Sequence, residues 1–376
     1  MLTKQSRMIS CFVCFEKLGA FNKILFFKFT YNNSLNKKTM SLCKLCLERE
    51  ANKKNTHYLT DAIIRTCLNI EGSNEREKGL YFALDNTNPF IDFNFQRLDE
   101  LTLETTIGRK PTEEEIENAK SIPFSVDYVF CSDCENLFTD IETPFIQNIL
   151  PHFRQADLSG LKIVSEADVV TIRNFFHIQL YRSAVCEDIL AFSPEFKEKL
   201  RHSILQKNGD TSIPLSVTHL QTLGGNAIYT ENYIGFTDDK NPFIVFMNDF
   251  VIQVYENEDA IKFLPFHGLN EQETFVSAIN INEESFAFKI FDNAERKVFL
   301  NTVIVNEKVK KTIQYYRDMF DMFWRKLFGV DAPVLQKERY IQSLINGDDN
   351  NLIKYSKQQV FEFTVAYMAK LFNVTK

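Results

Sequence analysis

Three cysteine pairs of one form, C-x-x-C, constrain this chain more than any other feature: Cys11 with Cys14, Cys43 with Cys46, and Cys131 with Cys134. Two cysteines separated by two residues can bring both sulfurs to one side of a tight turn, and a tetrahedral zinc ion takes four such thiolates at about 2.3 Å. Six paired thiols do not divide by four. The sequence therefore predicts one structural zinc with an idle pair, or two with further ligands, the candidates being His57 and Cys67 for the Cys43 pair and His152 for the Cys131 pair. In a reducing compartment such pairs are more often metal ligands than disulfides. That compartment is the expected one. No apolar run approaches the ~20 residues that cross a bilayer, and the opening MLTKQSRMISCFVC lacks the apolar core of a signal peptide. A cytoplasmic protein with no membrane partner is expected.

With 376 residues, 44 % of them hydrophobic, the chain has enough apolar sequence for two or three ordinary domains and is not disordered. Its net charge of -7 hides an asymmetry. Residues 1–60 carry eleven Lys and Arg against three acids, a net +8, which leaves 32 bases and 47 acids, a net -15, for the rest. The bases Lys28, Lys37, Lys38, Lys44, Arg49, Lys53 and Lys54 are interleaved with Phe26, Phe27, Phe29 and Tyr31. A basic, aromatic head of this kind suits nucleic acid, held through phosphates rather than base edges. It equally suits attraction to the chain's own acidic body.

Periodicity divides the remainder. ILFFKFTY is β-prone, NNS is a turn, SLCKLCLEREANKK reads as a helix starting at its cysteines, and HYLTDAIIRTCLNI as the next helix. Residues 71–128 read as loop, with one short helix after Pro111. A helix follows CSDCE. Ser165 and Asp168 form a candidate capping box ahead of the stripe Val169, Ile172, Phe176, Leu180 and Ala184, and Ser193-Pro194 opens another helix. From about 215 to 305 the period falls to two, with NPFIVFMNDFVIQVYE, ESFAFKIF and KVFLNTVIV predicting antiparallel strands. A stripe of Val309, Ile313, Tyr316, Phe320, Phe323 and Leu327 then opens a helical C-terminus, a core face or a groove for a protein partner. The expected class is α+β, in three parts: a basic zinc module of treble-clef type at 1–70, a second CxxC segment with helices at 71–210, and an antiparallel β region with C-terminal helices at 211–376.

The stretch CSDCENLFTDIE, with Cys131, Cys134, Glu135 and Glu142, and the later FFHIQLYRSAV, with Tyr181 and Arg182, resemble a group of bacterial HNH-like zinc proteins. That resemblance covers roughly residues 8–190. It implies that the first and third pairs share a zinc, whereas local spacing joins the first and second. It also implies roles in phage defence or mobile-element biology. The matching residues Glu135, Glu142 and Arg182 are candidates for outer positions around the zinc turn, with Glu142 the expected partner of Arg182. The chain departs from the group where catalysis would reside, because no histidine precedes His57 and none is left to activate water. The sequence thus predicts a zinc-stabilised nucleic-acid-binding protein. An interaction or sensor module and an HNH-like nuclease with a rearranged site are the alternatives, and the catalytic residues of the latter are unknown.

Overall fold

Alternating apolar sequence between residues 215 and 291 forms the centre of an eight-stranded sheet. The computed structural model describes residues 41–68, 78–81, 92–95, 110–113, 124–186, 190–221, 234–236, 242–261, 279–300, 306–347 and 357–372, with a few single positions between them. In chain order the strands are β1 (Thr56–His57), β2 (Lys78–Tyr81), β3 (Asp92–Phe95), β4 (Ser125–Val126), β5 (Ile163–Glu166), β6 (Leu215–Leu220), β7 (Ile234–Phe236), β8 (Phe243–Met247), β9 (Phe250–Val254) and β10 (Phe286–Phe291). Strands β1 and β4 form a small antiparallel pair, and the others follow the order β3-β2-β7-β8-β9-β6-β10-β5. The β8–β9 hairpin closes at Met247 and Phe250, with Asn248 in the left-handed region (φ 56°) that a tight hairpin turn requires.

Several expectations change here. The sheet is mixed, because β6 runs parallel to β10 and β2 parallel to β7. It draws β2 and β3 from the stretch read as loop and β5 from the helical middle, so it crosses the boundary expected at residue 210. Ser165 lies in β5 and caps nothing; Asp168 alone accepts from the Thr171 amide, at 3.2 Å. The KVF expected as strand closes a helix, because Asp292 and Glu295 form a capping box just upstream. The helix expected after Pro111 lies largely outside the described residues.

The helices are α1 (Asp61–Leu68), α2 (Ser132–Pro144), α3 (Leu150–Gln155), α4 (Val169–Cys186), α5 (Pro194–Gln206), α6 (Asn293–Phe299), α7 (Asn306–Phe328), α8 (Val334–Ile345) and α9 (Lys357–Leu371). A π-turn at Phe145–Ile149 joins α2 to α3, bracketed by Pro144 and Pro151, which lack amide donors. Helix α5 starts as expected, with the Ser193 hydroxyl accepting from the Phe196 amide. None of the described helices is long and apolar enough to cross a membrane.

Helix α4 is the hub. From Ile172 to Ala184 every residue is buried, so its polar side chains need partners inside the protein. Arg173 forks onto Glu283 (2.6 and 2.7 Å) and donates to the carbonyls of Asp210, Ile213 and Asn280. Asn174 accepts from the Gly209 amide at 3.0 Å, and Gln179 from the Thr60 amide at 2.9 Å. Gly209 (φ 57°) must be glycine, since a Cβ there would lie 3.0 Å from the Val170 backbone. Phe145 stacks on Phe175 at 3.9 Å, and Phe153 meets Phe288 at 4.5 Å, joining the helices to one sheet face. The hairpin is tied in by Arg154, whose guanidinium grips buried Asp249 (2.6 and 3.0 Å) and the Ala62 and Ile63 carbonyls of α1.

Two fully buried histidines predict an acid-sensitive core. Burial holds His177 down to about 3 and His219 to about 4, both below the ordinary 6.5. Neither ring nitrogen of His219, nor Nε2 of His177, has a hydrogen-bond partner. A group whose native value is depressed binds protons more readily when unfolded, so its contribution is complete above pH 6.5 and is lost as pH falls toward 4. Fully titrated, His219 alone corresponds to roughly 3 kcal/mol. Denaturation midpoints are expected to fall over that window, with His219→Phe falling less steeply. Parallel curves for the two proteins would refute the assignment.

The chain divides into two compact units, the larger running Met40–Lys308 and the smaller containing Val309–Lys376. In the smaller unit the α7 stripe is core: Phe320 stacks on Tyr340 at 4.6 Å, the Tyr316 hydroxyl donates to the Leu352 carbonyl, and Tyr340 meets Thr364 of α9 at 2.7 Å.

Candidate metal centre

Residues 41–50 form a knuckle and not the expected helix. A bridge joins Leu42 to Glu50, the Cys43 amide donates to the Arg49 carbonyl at 2.7 Å, and the Lys44 amide donates to Val129 across the chain. Those bonds are turn and cross-strand bonds. Leu47 in the left-handed region (φ 61°) prevents helix from continuing. Cys43 and Cys46 stand on this turn.

The other pair does start a helix. Cys131 is the extended residue ahead of α2 (φ -89°, ψ 161°), its carbonyl accepts from the Glu135 amide at 3.1 Å, and Cys134 is in the first turn. Asn52, just after the knuckle, supplies the missing cap by accepting from the Ser132 amide and hydroxyl at 3.0 and 3.2 Å. Free amides and the helix dipole at this end favour thiolate charge.

The sulfurs of Cys43, Cys46, Cys131 and Cys134 all lie within 4.8 Å of one another, and those of Cys46 and Cys131 are 4.0 Å apart. Tetrahedral coordination at about 2.3 Å gives sulfur–sulfur edges of about 3.8 Å. The four cysteines therefore fit a metal ion with little adjustment. Three are buried and Cys46 is half-buried. Burial pushes the Cys43 thiol up, and burial with the neighbouring Cys131 and Cys43 pushes Cys134 up strongly. Burial also works to raise Cys46, but the Glu48 and Arg49 amides and adjacent thiols outweigh it and bring it down to about 7. Four sulfurs packed this closely suit a cation, which neutralises the charge that thiolates would share there.

The pairing differs from both sequence expectations: the second and third pairs converge, across 84 intervening residues. Cys11 and Cys14 lie outside the described residues. So do Lys28, Lys37 and Lys38. Among the described residues the cluster consists of the four cysteines alone; His152 lies instead 3.2 Å from Glu166, and His57 belongs to β1. Within the expected 1–70 module, the described cysteines Cys43 and Cys46 meet Cys131 and Cys134 from outside it.

The knuckle is held from behind. The Tyr181 hydroxyl donates to the Lys44 carbonyl and Arg201 to the Leu45 carbonyl at 2.8 Å. Arg182 turns the other way, onto Glu142, which also accepts from the Thr60 hydroxyl at 2.6 Å. Burial pushes the Glu135 carboxyl up against the pull of Arg182, and its Oε1 has no partner. Cys43, Leu45, Tyr58, Phe130 and Phe138 belong to the same apolar core as the sheet, so the cysteine cluster is built into the fold and not appended to it.

Outside the cluster, Lys44, Arg49, Lys53 and Lys54 are exposed. Arg49 is engaged by Asp133. Exposed Glu48, Glu50, Asp127 and Asp133 balance these four bases. Tyr128, which sequence reasoning passed over, is unusual: 38 % exposed, it holds a left-handed conformation (φ 60°) with Lys54 Nζ 5.4 Å from its ring. Its amide donates to the Lys53 carbonyl at 2.7 Å, and its own carbonyl accepts from Ser41. Left-handed backbone costs a non-glycine residue about 1–2 kcal/mol, whereas an exposed cation–π pair returns about 0.5–1 kcal/mol. No family model, curated protein or solved structure matches the chain.

Proposed function

We propose that Cys43, Cys46, Cys131 and Cys134 hold one structural zinc, in a knuckle, strand-pair and helix arrangement of treble-clef type, and that the module so held binds nucleic acid. The donor set supports the first part. Four thiolates leave no open position for water, the mark of a structural and not a catalytic zinc.

The observation that carries the second part is the placement of exposed Lys44, Lys53 and Lys54 beside Tyr128, on segments joined by the Lys44–Val129, Tyr128–Lys53 and Lys53–Phe130 backbone bonds. Because acids balance the bases of the described module, the excess positive charge comes from residues 1–40, with seven bases and one acid. If Lys28, Lys37, Lys38, Lys44, Lys53 and Lys54 each meet a phosphate, log affinity for a single strand should fall against log salt with a slope of about -4. Anisotropy titrations of the intact protein over a salt series measure it. Lys44→Glu with Lys53→Glu and Lys54→Glu should flatten the slope by about half. Salt-independent binding, or none, refutes the reading.

A second reading, a protein-interaction module with zinc as scaffold, is favoured by one observation: Val330, Val334 and Leu335 stand exposed together around the start of α8.

A further inference from the structure

Resting on the nucleic-acid reading above, we infer that the metal module takes single-stranded nucleic acid, with one base stacked on Tyr128 and the flanking phosphates on Lys53 and Lys54. The exposure of Tyr128 is the first ground: its ring is 38 % exposed on a backbone pinned by hydrogen bonds to Lys53 and Ser41. The second is the rigidity behind it. Tyr128 is bonded to Lys53 and Ser41, while the adjoining Val129 and Phe130 carbonyls accept from Lys44 and Lys53, so the cysteine cluster fixes both sides of the ring's support. The third is charge. Lys53 precedes Lys54, whose ammonium already sits over the ring, where a phosphate beside a stacked base would meet it.

A duplex fits this surface poorly. Its base faces are hidden in the stack, and the N-terminus of α2 carries Asp133 and Glu135 in its first turn and has its Ser132 amide already taken by Asn52, so it offers a phosphate no free site. Asp127 accepts from the Asn55 amide at 2.7 Å, and Lys54 Nζ lies 5.4 Å from the ring centroid. Stacking is tolerant of sequence, because every base has a face to offer.

The test uses the full-length, zinc-loaded protein with labelled oligothymidylate and an equally long adenine–thymine duplex, measured by anisotropy at one salt concentration. The single strand is expected to bind about tenfold tighter or more, and Tyr128→Ala to remove most of that preference while duplex binding stays unchanged. Tyr128→Gly relieves the backbone strain, so it should fold at least as stably, keep its metal and show the same loss. Tyr128→Phe should bind like the wild type. Equal affinity for the two probes, or Tyr128→Gly binding the strand as the wild type does, overturns the inference. If charge reversal at Lys44, Lys53 and Lys54 still weakens both probes, nucleic-acid binding stands without stacking. No binding of either probe overturns both.

Discussion

Cys131→Ser is expected to lower the metal content of the intact protein by one equivalent, while Cys11→Ser combined with Cys14→Ser leaves that equivalent in place. The reason is geometric: the four sulfurs that lie within 4.8 Å are those of Cys43, Cys46, Cys131 and Cys134, and a serine hydroxyl is a poor substitute for a thiolate at zinc. Apparent binding free energies of structural zinc are about 10–16 kcal/mol and are folding free energy where the site does not pre-exist. Losing the ion should therefore release the knuckle. Amide exchange should quicken at Cys43, Lys44 and Lys53, whose hydrogen bonds run to Arg49, Val129 and Phe130. Elemental analysis gives the count. Full metal content in Cys131→Ser, or its loss in the Cys11 and Cys14 double variant, would show that the wrong thiols had been assigned.

The second large effect lies in the hub. Arg173→Met should destabilise the protein by about 3–5 kcal/mol, because it strands the Glu283 carboxylate and leaves the carbonyls of Asp210, Ile213 and Asn280 without their donor. The Arg173 side chain is 0 % exposed and that of Glu283 is 12 % exposed, so water replaces little of what is lost. Adding Glu283→Leu should recover part of the loss, since the stranded charge goes with it. Urea denaturation checks both. A loss under about 1 kcal/mol for Arg173→Met would mean that the cluster holds nothing together.

Local signals were legible where local chemistry decides. Ser193-Pro194 begins a helix as read, the apolar runs on either side of Asn248-Asp249 pair as strands, and of the two readings of the Phe320 stripe, core face or partner groove, the core face is the one found. Failures occurred where two readings share one local pattern. Ser165-x-x-Asp168 satisfies a capping box on paper, yet Ser165 pairs with Ala287 across the sheet, a contact made by a strand more than a hundred residues away. The cysteine pairs are the sharpest case. All three have the same spacing, so nothing within any pair says which other it will meet; the answer lies in β1 meeting β4 and bringing Asn52 to Ser132. Tyr128 escaped for a related reason, because a backbone angle imposed by neighbours leaves no mark on composition. Glu142 and Arg182 were readable because a buried guanidinium restricts its partners so severely.

The distance along the chain between the two halves of the cysteine cluster sets an order of events at the ribosome. Cys134 is made 88 residues after Cys46, roughly 4 to 18 s later at about 5–20 residues per second. Through that interval the first half of the clasp emerges with its thiols uncommitted, open to oxidation or to capture by the Cys11 pair. If the cluster holds the ion proposed above, its supply during translation, and not just its presence afterwards, bears on how much correctly folded protein a cell obtains.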